Sequence, residues 1–232
     1  MFYIILRRVL VVLFRTIWRP RLVGLENIPS SGPLLIASNH LSFSDSVIIP
    51  VVVPRRVHFL AKKEYFTSPG LRGFGMKLFF TAVGAVPVKR SGRRDDAMDA
   101  LTTGLGVLQD RRAFALYPEG TRSRDGRLYR GRTGVAWLAL KSGAPVVPVG
   151  VIGTDELQPV GARLPRIVKV TVRFGEPIDV QPYLDRLASG VGAGAVRREL
   201  TDAVMDAIGA ISGQVRVDRY NEPPAGELEV AV

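Results

Sequence analysis

Along the chain, apolar residues fall into two patterns: short uninterrupted runs bounded by turn residues, and longer stretches where they recur at helical spacing. The runs at 34–37, 57–61, 81–88, 113–117 and 145–152 predict strands, several of them buried on both faces. Residues 167–174 alternate instead. Val168, Val170, Val172 and Phe174 share one face, and Lys169, Thr171 and Arg173 share the other. Helices are expected over 95–108, where Leu101, Leu105 and Leu108 recur at helical spacing, and over 133–141 and 195–211. A short apolar helix or turn is expected at 44–53, with Ser44 as N-cap and Asp45 in its first turn. Strands alternating with helices predict a single α/β domain whose central sheet, largely parallel or mixed, is flanked by helices.

The two ends differ from this middle. Residues 1–18 are rich in apolar and aromatic side chains, but Arg7, Arg8 and Arg15 interrupt them well short of the roughly 18 apolar residues of a membrane span. Drawn as a helix, Arg8, Arg15 and Arg19 form a narrow basic ridge beside Ile4, Ile5, Leu10, Leu13, Phe14, Ile17 and Trp18. That distribution suits an amphipathic helix lying in a membrane interface, with a buried core helix as the alternative. No small-residue cleavage site follows, so a secretory signal fits poorly. At the other end paired prolines and acidic residues predict a tail outside the core. The expected organisation is therefore an interfacial helix at 1–19, a domain at 20–216 and a tail at 217–232. A Gly-interrupted apolar segment at 66–80 reads equally as a second lipid-facing surface, the wall of an acyl pocket, or ordinary core.

Composition narrows the chemistry. With 232 residues, 47% of them hydrophobic, the chain can bury a sizeable core. Thirty-two Lys and Arg against 21 Asp and Glu give a formal charge of +11, which points to an anionic partner. With no cysteine and only two histidines, disulfides, thiolate metal sites and cysteine nucleophiles are excluded and zinc is disfavoured. His58, inside an apolar run, is expected to be a strand residue with a structural hydrogen bond. No G-x-S-x-G elbow, Walker A loop or complete G-x-G-x-x-G occurs. A non-catalytic module binding nucleic acid or an anionic membrane is disfavoured too, because the charge is spread along the chain and carries no recognisable nucleic-acid motif.

Candidate chemistry gathers at two places. The run Ser38-Asn39-His40-Leu41-Ser42-Phe43-Ser44-Asp45 follows a predicted strand. A carboxylate beside an imidazole can fix its tautomer and stabilise the imidazolium, as a general base requires. Residues five apart point in different directions on a helix or a strand, so His40 and Asp45 can meet only across a turn. The second place, Tyr117-Pro118-Glu119-Gly120-Thr121-Arg122-Ser123, also follows a strand. Ligands commonly bind outside the carboxyl ends of strands in α/β folds. Gly120 permits close backbone approach to an anion, Thr121 and Ser123 carry hydroxyl donors, and Arg122 offers a fork that matches phosphate oxygens. Glu119 is expected to aim the arginine. Arg124, Arg127, Arg130 and Arg132 extend the positive field, and Arg90 is a further phosphate-ligand candidate.

The ordered runs Asn39-His40-x-Ser42-x-x-Asp45, Gly84-Ala85-Val86-Pro87-Val88-Lys89-Arg90, Tyr117 to Ser123, and Val147-Pro148-Val149 resemble the four blocks of the glycerolipid acyltransferases. Bacterial 1-acylglycerol-3-phosphate acyltransferases are the closest in pattern. The resemblance covers roughly residues 39–150. It implies an acyl thioester donor, acyl-CoA or acyl-carrier protein, and lysophosphatidic acid as acceptor. No cofactor or metal is implied. His40 and Asp45 would be the catalytic pair, with Glu119, Gly120, Thr121 and Arg122, together with Arg90, around the acceptor phosphate. Glycerol-3-phosphate or another lysophospholipid or glycolipid remains open as acceptor. Anionic membrane lipids are the expected surface partner, with a monotopic seat on the cytoplasmic face of the cell membrane. Two positions depart from the pattern: Tyr117 stands where Phe is usual, and Lys89 where an acidic residue often precedes the arginine.

Overall fold

The buried apolar runs pair with one another. In a computed structural model describing residues 2–88, 94–162 and 164–222, the elements run α1 (Phe2–Ile17), β1 (Arg21–Val23), β2 (Leu34–Ser38), α2 (Asp45–Val52), β3 (Val57–Lys62), α3 (Glu64–Thr67), α4 (Gly70–Ala82) and β4 (Ala85–Val88). They continue with α5 (Arg94–Gln109), β5 (Ala113–Leu116), β6 (Leu128–Tyr129), α6 (Gly134–Ser142), β7 (Val146–Ile152), α7 (Thr154–Leu157), β8 (Thr171–Phe174), α8 (Gln181–Ala188), α9 (Ala193–Ser212) and β9 (Arg216–Val217). Seven strands form one mixed sheet in the order β1-β8-β7-β2-β5-β3-β4. Every neighbouring pair is parallel except β7 and β8.

β2 lies at the centre, and all five of its residues are buried. Leu34 and Ile36 face one layer, packed with Ile48 of α2, Phe80 of α4 and Phe14 of α1. Leu35 and Ala37 face the other, packed with Leu108 of α5, Leu138 of α6 and Leu200 of α9. A strand clothed on both faces has no polar side to show, which is why its sequence reads as an unbroken apolar run. Truncating one such leucine to alanine costs about 2–5 kcal/mol.

Three segments differ from the sequence reading. Within the 66–80 segment the break falls at Ser68–Pro69, where α3 ends and Gly70 opens α4 at φ +78; Gly73 and Gly75 lie inside that helix without breaking it. A Cβ on Gly73 would stand 1.9 Å from the Ser68 carbonyl oxygen, so glycine lets the helix pack against the preceding turn. Thr81 and Ala82 finish that helix rather than begin a strand. Gly84 then reverses the chain at φ +92, with its α-carbon so near β3 that a Cβ would lie 2.2 Å from the Val57 carbonyl. In the alternating segment the buried and solvent-facing positions fall as expected, but pairing is confined to Thr171–Phe174. The first residues of the expected tail are held: β9 pairs with β6.

α1 packs by one side only. Phe14 is buried and stacks on Trp18 at 5.4 Å, and Leu10 and Val11 lie against the core. Ile5, Val9, Val12, Leu13 and Ile17 remain exposed, as do Arg8, Arg15 and Arg19. Among the described residues no helix is long and apolar enough to cross a membrane.

Candidate active site

β2 delivers Asn39 and His40 at its carboxyl end. The Asn39 amide continues the ladder as a backbone group would: its Oδ1 accepts from Val151 N–H at 2.8 Å, and its Nδ2 donates to the Val151 carbonyl at 2.9 Å. The chain then turns, and the Asp45 carboxylate closes the turn. Asp45 Oδ2 accepts from Leu41 N–H at 2.7 Å and Ser42 N–H at 2.8 Å, and it stands 2.8 Å from His40 Nδ1. Three donors thus meet at one oxygen of a fully buried carboxylate. Its other oxygen, also buried, accepts no hydrogen bond from the described residues. With Nδ1–H given to Asp45, the lone pair of His40 falls on Nε2, the tautomer a base requires. Ser44 occupies the N-cap of α2 without a side-chain capping bond, and its hydroxyl goes to Ser42 Oγ at 3.0 Å.

Tyr117 covers the imidazole. The two rings stack with centroids 3.8 Å apart and planes 8° from parallel. The Tyr117 hydroxyl lies 2.9 Å from Ser46 Oγ, one residue past Asp45. Burial, and then the Asp45 charge, push the Tyr117 phenol well above its ordinary value, so it stays neutral.

β5 ends beside β2, and the loop after it grips the same histidine. His40 N–H donates to Glu119 Oε2 at 3.2 Å, and the His40 carbonyl accepts from Ser123 N–H at 2.7 Å. The two stretches singled out from the sequence therefore abut directly at one end of the sheet. Gly120 closes the turn, its N–H donating to the Tyr117 carbonyl at 3.0 Å, with φ at +82, a conformation that L side chains rarely adopt. A cavity of about 180 Å³ opens here, lined by Tyr117, Pro118, Gly120, Arg132 and Thr133. A second, apolar one of about 370 Å³ lies beyond Phe43 and Ser44, between α1, α2 and α4.

The expected phosphate ligands take different places. Arg122 is half-buried, and its carbonyl accepts from Asn221 Nδ2 at 3.0 Å. Thr121 is buried beside it. Glu119 turns to the main chain. It is fully buried, and its two oxygens accept from the main-chain N–H groups of His40 and Tyr129, the latter at 2.9 Å. Burial raises its carboxyl to about 7 against those hydrogen bonds, which lower it. The residue expected beside the acceptor phosphate is thus seen bracing the loop that carries Arg122, through the main-chain N–H groups of His40 and Tyr129. The Ser123 hydroxyl donates to Asp125 at 3.2 Å. Despite some burial, which raises it, Asp125 is held at about 2 by hydrogen bonds from Arg127, Tyr129 and Ser123. Arg90 lies outside the described residues. His58 sits at the amino end of β3, away from the site, with its pKa lowered by burial and then by Arg56 and Arg112. Among the described residues no group of three or more His, Asp or Glu could hold a metal ion.

Residues 214–222, read from sequence as lying at or beyond the domain's end, also reach the site. Gln214 Oε1 accepts from Asn39 Nδ2 at 2.6 Å, and its Nε2 donates to the Gly126 carbonyl at 2.8 Å. The ring of Tyr220 lies under the guanidinium groups of Arg130 and Arg132, at 5.5 and 5.3 Å. No local signal marks these residues. Only α9, running back along β7, brings them here.

Comparison with known proteins follows the same lines. A 1-acyl-sn-glycerol-3-phosphate acyltransferase of Brassica napus chloroplasts is 36% identical over 140 residues, which is 60% of this chain and 39% of that protein. Its Bacillus subtilis namesake is 28% identical over 155 residues, covering 66% of this chain and 70% of that one. The chain thus spans about two fifths of the chloroplast relative. The crystal structure of a 1-acyl-sn-glycerophosphate (LPA) acyltransferase, PlsC, from Thermotoga maritima superposes with a TM-score of 0.63 over 90% of this chain and 82% of that one, at 23% identity. It has the same fold. Residues 19–152, more than half of the chain and the part that holds His40, Asp45 and the 117–123 loop, match the family model described as Acyltransferase, and the chain belongs to that family.

Proposed function

We propose that the protein transfers an acyl chain from an acyl thioester, acyl-CoA or acyl-carrier protein, to the free hydroxyl of 1-acylglycerol-3-phosphate, giving phosphatidic acid. One observation carries the reading: the 2.8 Å contact between His40 and a fully buried Asp45, on a main chain clamped at both N–H and C=O by the Glu119–Ser123 loop. His40 Nε2 takes the hydroxyl proton while that oxygen attacks the thioester carbonyl. The tetrahedral adduct then collapses, the C–S bond breaks, and the thiolate recovers the proton from the imidazolium. No acyl-enzyme forms. Asp45 orients the ring and stabilises its transient charge, assistance typically worth about 10²–10⁴-fold. Arg122 and the Gly120 turn, with Arg90, hold the acceptor phosphate, which fixes the hydroxyl near the carbonyl.

The names of the relatives support the substrate class. The bare apolar side of α1, flanked by Arg8, Arg15 and Arg19, supports a monotopic seat on an anionic membrane surface at its cytoplasmic face. The test is product mass spectrometry with purified protein offered lysophosphatidic acid, glycerol-3-phosphate and other lysolipids against both donor types. Phosphatidic acid from lysophosphatidic acid is expected, and His40→Ala should abolish it. A folded His40→Ala protein with near-normal turnover would refute the base, and preference for another acceptor would refute the substrate.

A further inference from the structure

The family model ends at residue 152, yet the chain returns to the site sixty residues later. We infer that the segment 214–221 is a brace that, beyond the direct Glu119 and Ser123 bonds to His40, holds the far part of the Arg122 loop in its binding shape, with Gln214 and Asn221 as positioning residues for the acceptor. This rests on the acceptor reading given above.

The hydrogen bonds fix one another in sequence. Val151 N–H must meet the Asn39 oxygen, so the Asn39 amino group faces Gln214. Gln214 must then present its own oxygen to Asn39, which turns its amino group to the Gly126 carbonyl. One side chain thereby ties the residue before His40 to the loop that carries Arg122. From there the backbone continues the tie: Leu128 N–H donates to the Val215 carbonyl at 2.9 Å, and Arg130 N–H to the Arg219 carbonyl at 3.0 Å. Asn221 ends it at the carbonyl of Arg122 itself.

This segment contributes little to the core. Val215 is 71% exposed and Tyr220 42%; Arg216 pairs with Asp202 and Asp206 of α9, and the side-chain bonds of Gln214 and Asn221 go to the two site loops. Between β5 and α6 the loop has only the two-residue β6, whose partner is β9. Without that partner the loop would keep its Glu119, Ser123 and Asp125 bonds, and the rest of its ordering around a phosphate would fall on ligand binding. With it, the cradle is ordered beforehand, the general route by which preorganisation raises affinity.

The uncharged, nearly isosteric variants Gln214→Met and Asn221→Leu each remove the side-chain donor to the loop. Each should raise the KM for lysophosphatidic acid by about threefold to tenfold, the equivalent of one hydrogen bond. Donor KM and Tm should hold. Amide hydrogen exchange, measured without substrate, should speed up across residues 120–127 and stay unchanged in β2 and β5. An equal rise in both KM values, a fall in Tm with unchanged KM, or unaltered exchange in the loop would overturn the brace. If the loop exchange responds while even the unmutated protein fails to acylate lysophosphatidic acid, the brace stands and the acceptor assignment falls.

Discussion

Glu119 is the place where the site's architecture should be visible in a stability measurement. Its carboxyl is raised from 4.5 to about 7 because it is buried, although two amides donate to it. The folded protein therefore holds this proton more tightly than the unfolded chain. Below the unfolded value both forms are protonated and nothing is lost. As pH rises from about 4.5 to about 7 the unfolded chain ionises first, and stability falls; above that it levels off. Each pH unit between the two values is worth about 1.4 kcal/mol, so the loss is on the order of 3 kcal/mol. Glu119→Gln removes the titration but keeps only one acceptor for two buried amides, a cost of about 1–3 kcal/mol at every pH. The variant should therefore be less stable than the natural protein near pH 5, with a deficit that shrinks or reverses by about pH 8.5. Urea unfolding followed by the fluorescence of Trp18 and Trp137 would measure both. A deficit equal at the two pH values would refute the reasoning.

Other substitutions separate the remaining roles. Asp45→Ala strips two buried amides and the imidazole of their acceptor, so turnover should fall by about 10²-fold or more and stability by about 2–6 kcal/mol; full activity would exclude the pair. Tyr117→Phe should lose only the Ser46 bond, changing kcat less than threefold or so, while Tyr117→Leu should lose the ring stack and shift the acidic limb of the pH–rate profile. Identical profiles for the two variants would show that the stack is inert. Arg122→Ala should raise the acceptor KM at least tenfold or so with donor KM unchanged, and a change confined to the donor would remove Arg122 from the phosphate. Deleting residues 1–19 should reduce co-sedimentation with anionic vesicles, and unchanged recovery would leave α1 as a packing helix.

How much of this could be read beforehand depends on range. β2, β5 and β7 were legible because fully buried strands must be apolar throughout, and the His40–Asp45 turn because a strand run stops where a helix start begins. The glycines near residue 73 misled: one that admits a close backbone contact carries the same letter as one that breaks a helix. β1, β6 and β9, of two or three residues, are too short to show any period. Nor could the hydrogen bonds of Glu119 be read, since a carboxylate near an arginine in sequence is free to bond amides ten and seventy-nine residues away. Gln214 and Asn221 became site residues only through the path of α9.

The carboxylate of Asp45 joins the imidazole and also its own loop, through the amides of Leu41 and Ser42. The count of residues between the two groups is therefore a ring-closure condition. One residue more or fewer would leave the amides and the imidazole unable to converge on a single oxygen. The side chains at positions 41 and 43 play no part in closing that ring. Diversity in such a loop should consequently appear as substitution and never as insertion or deletion.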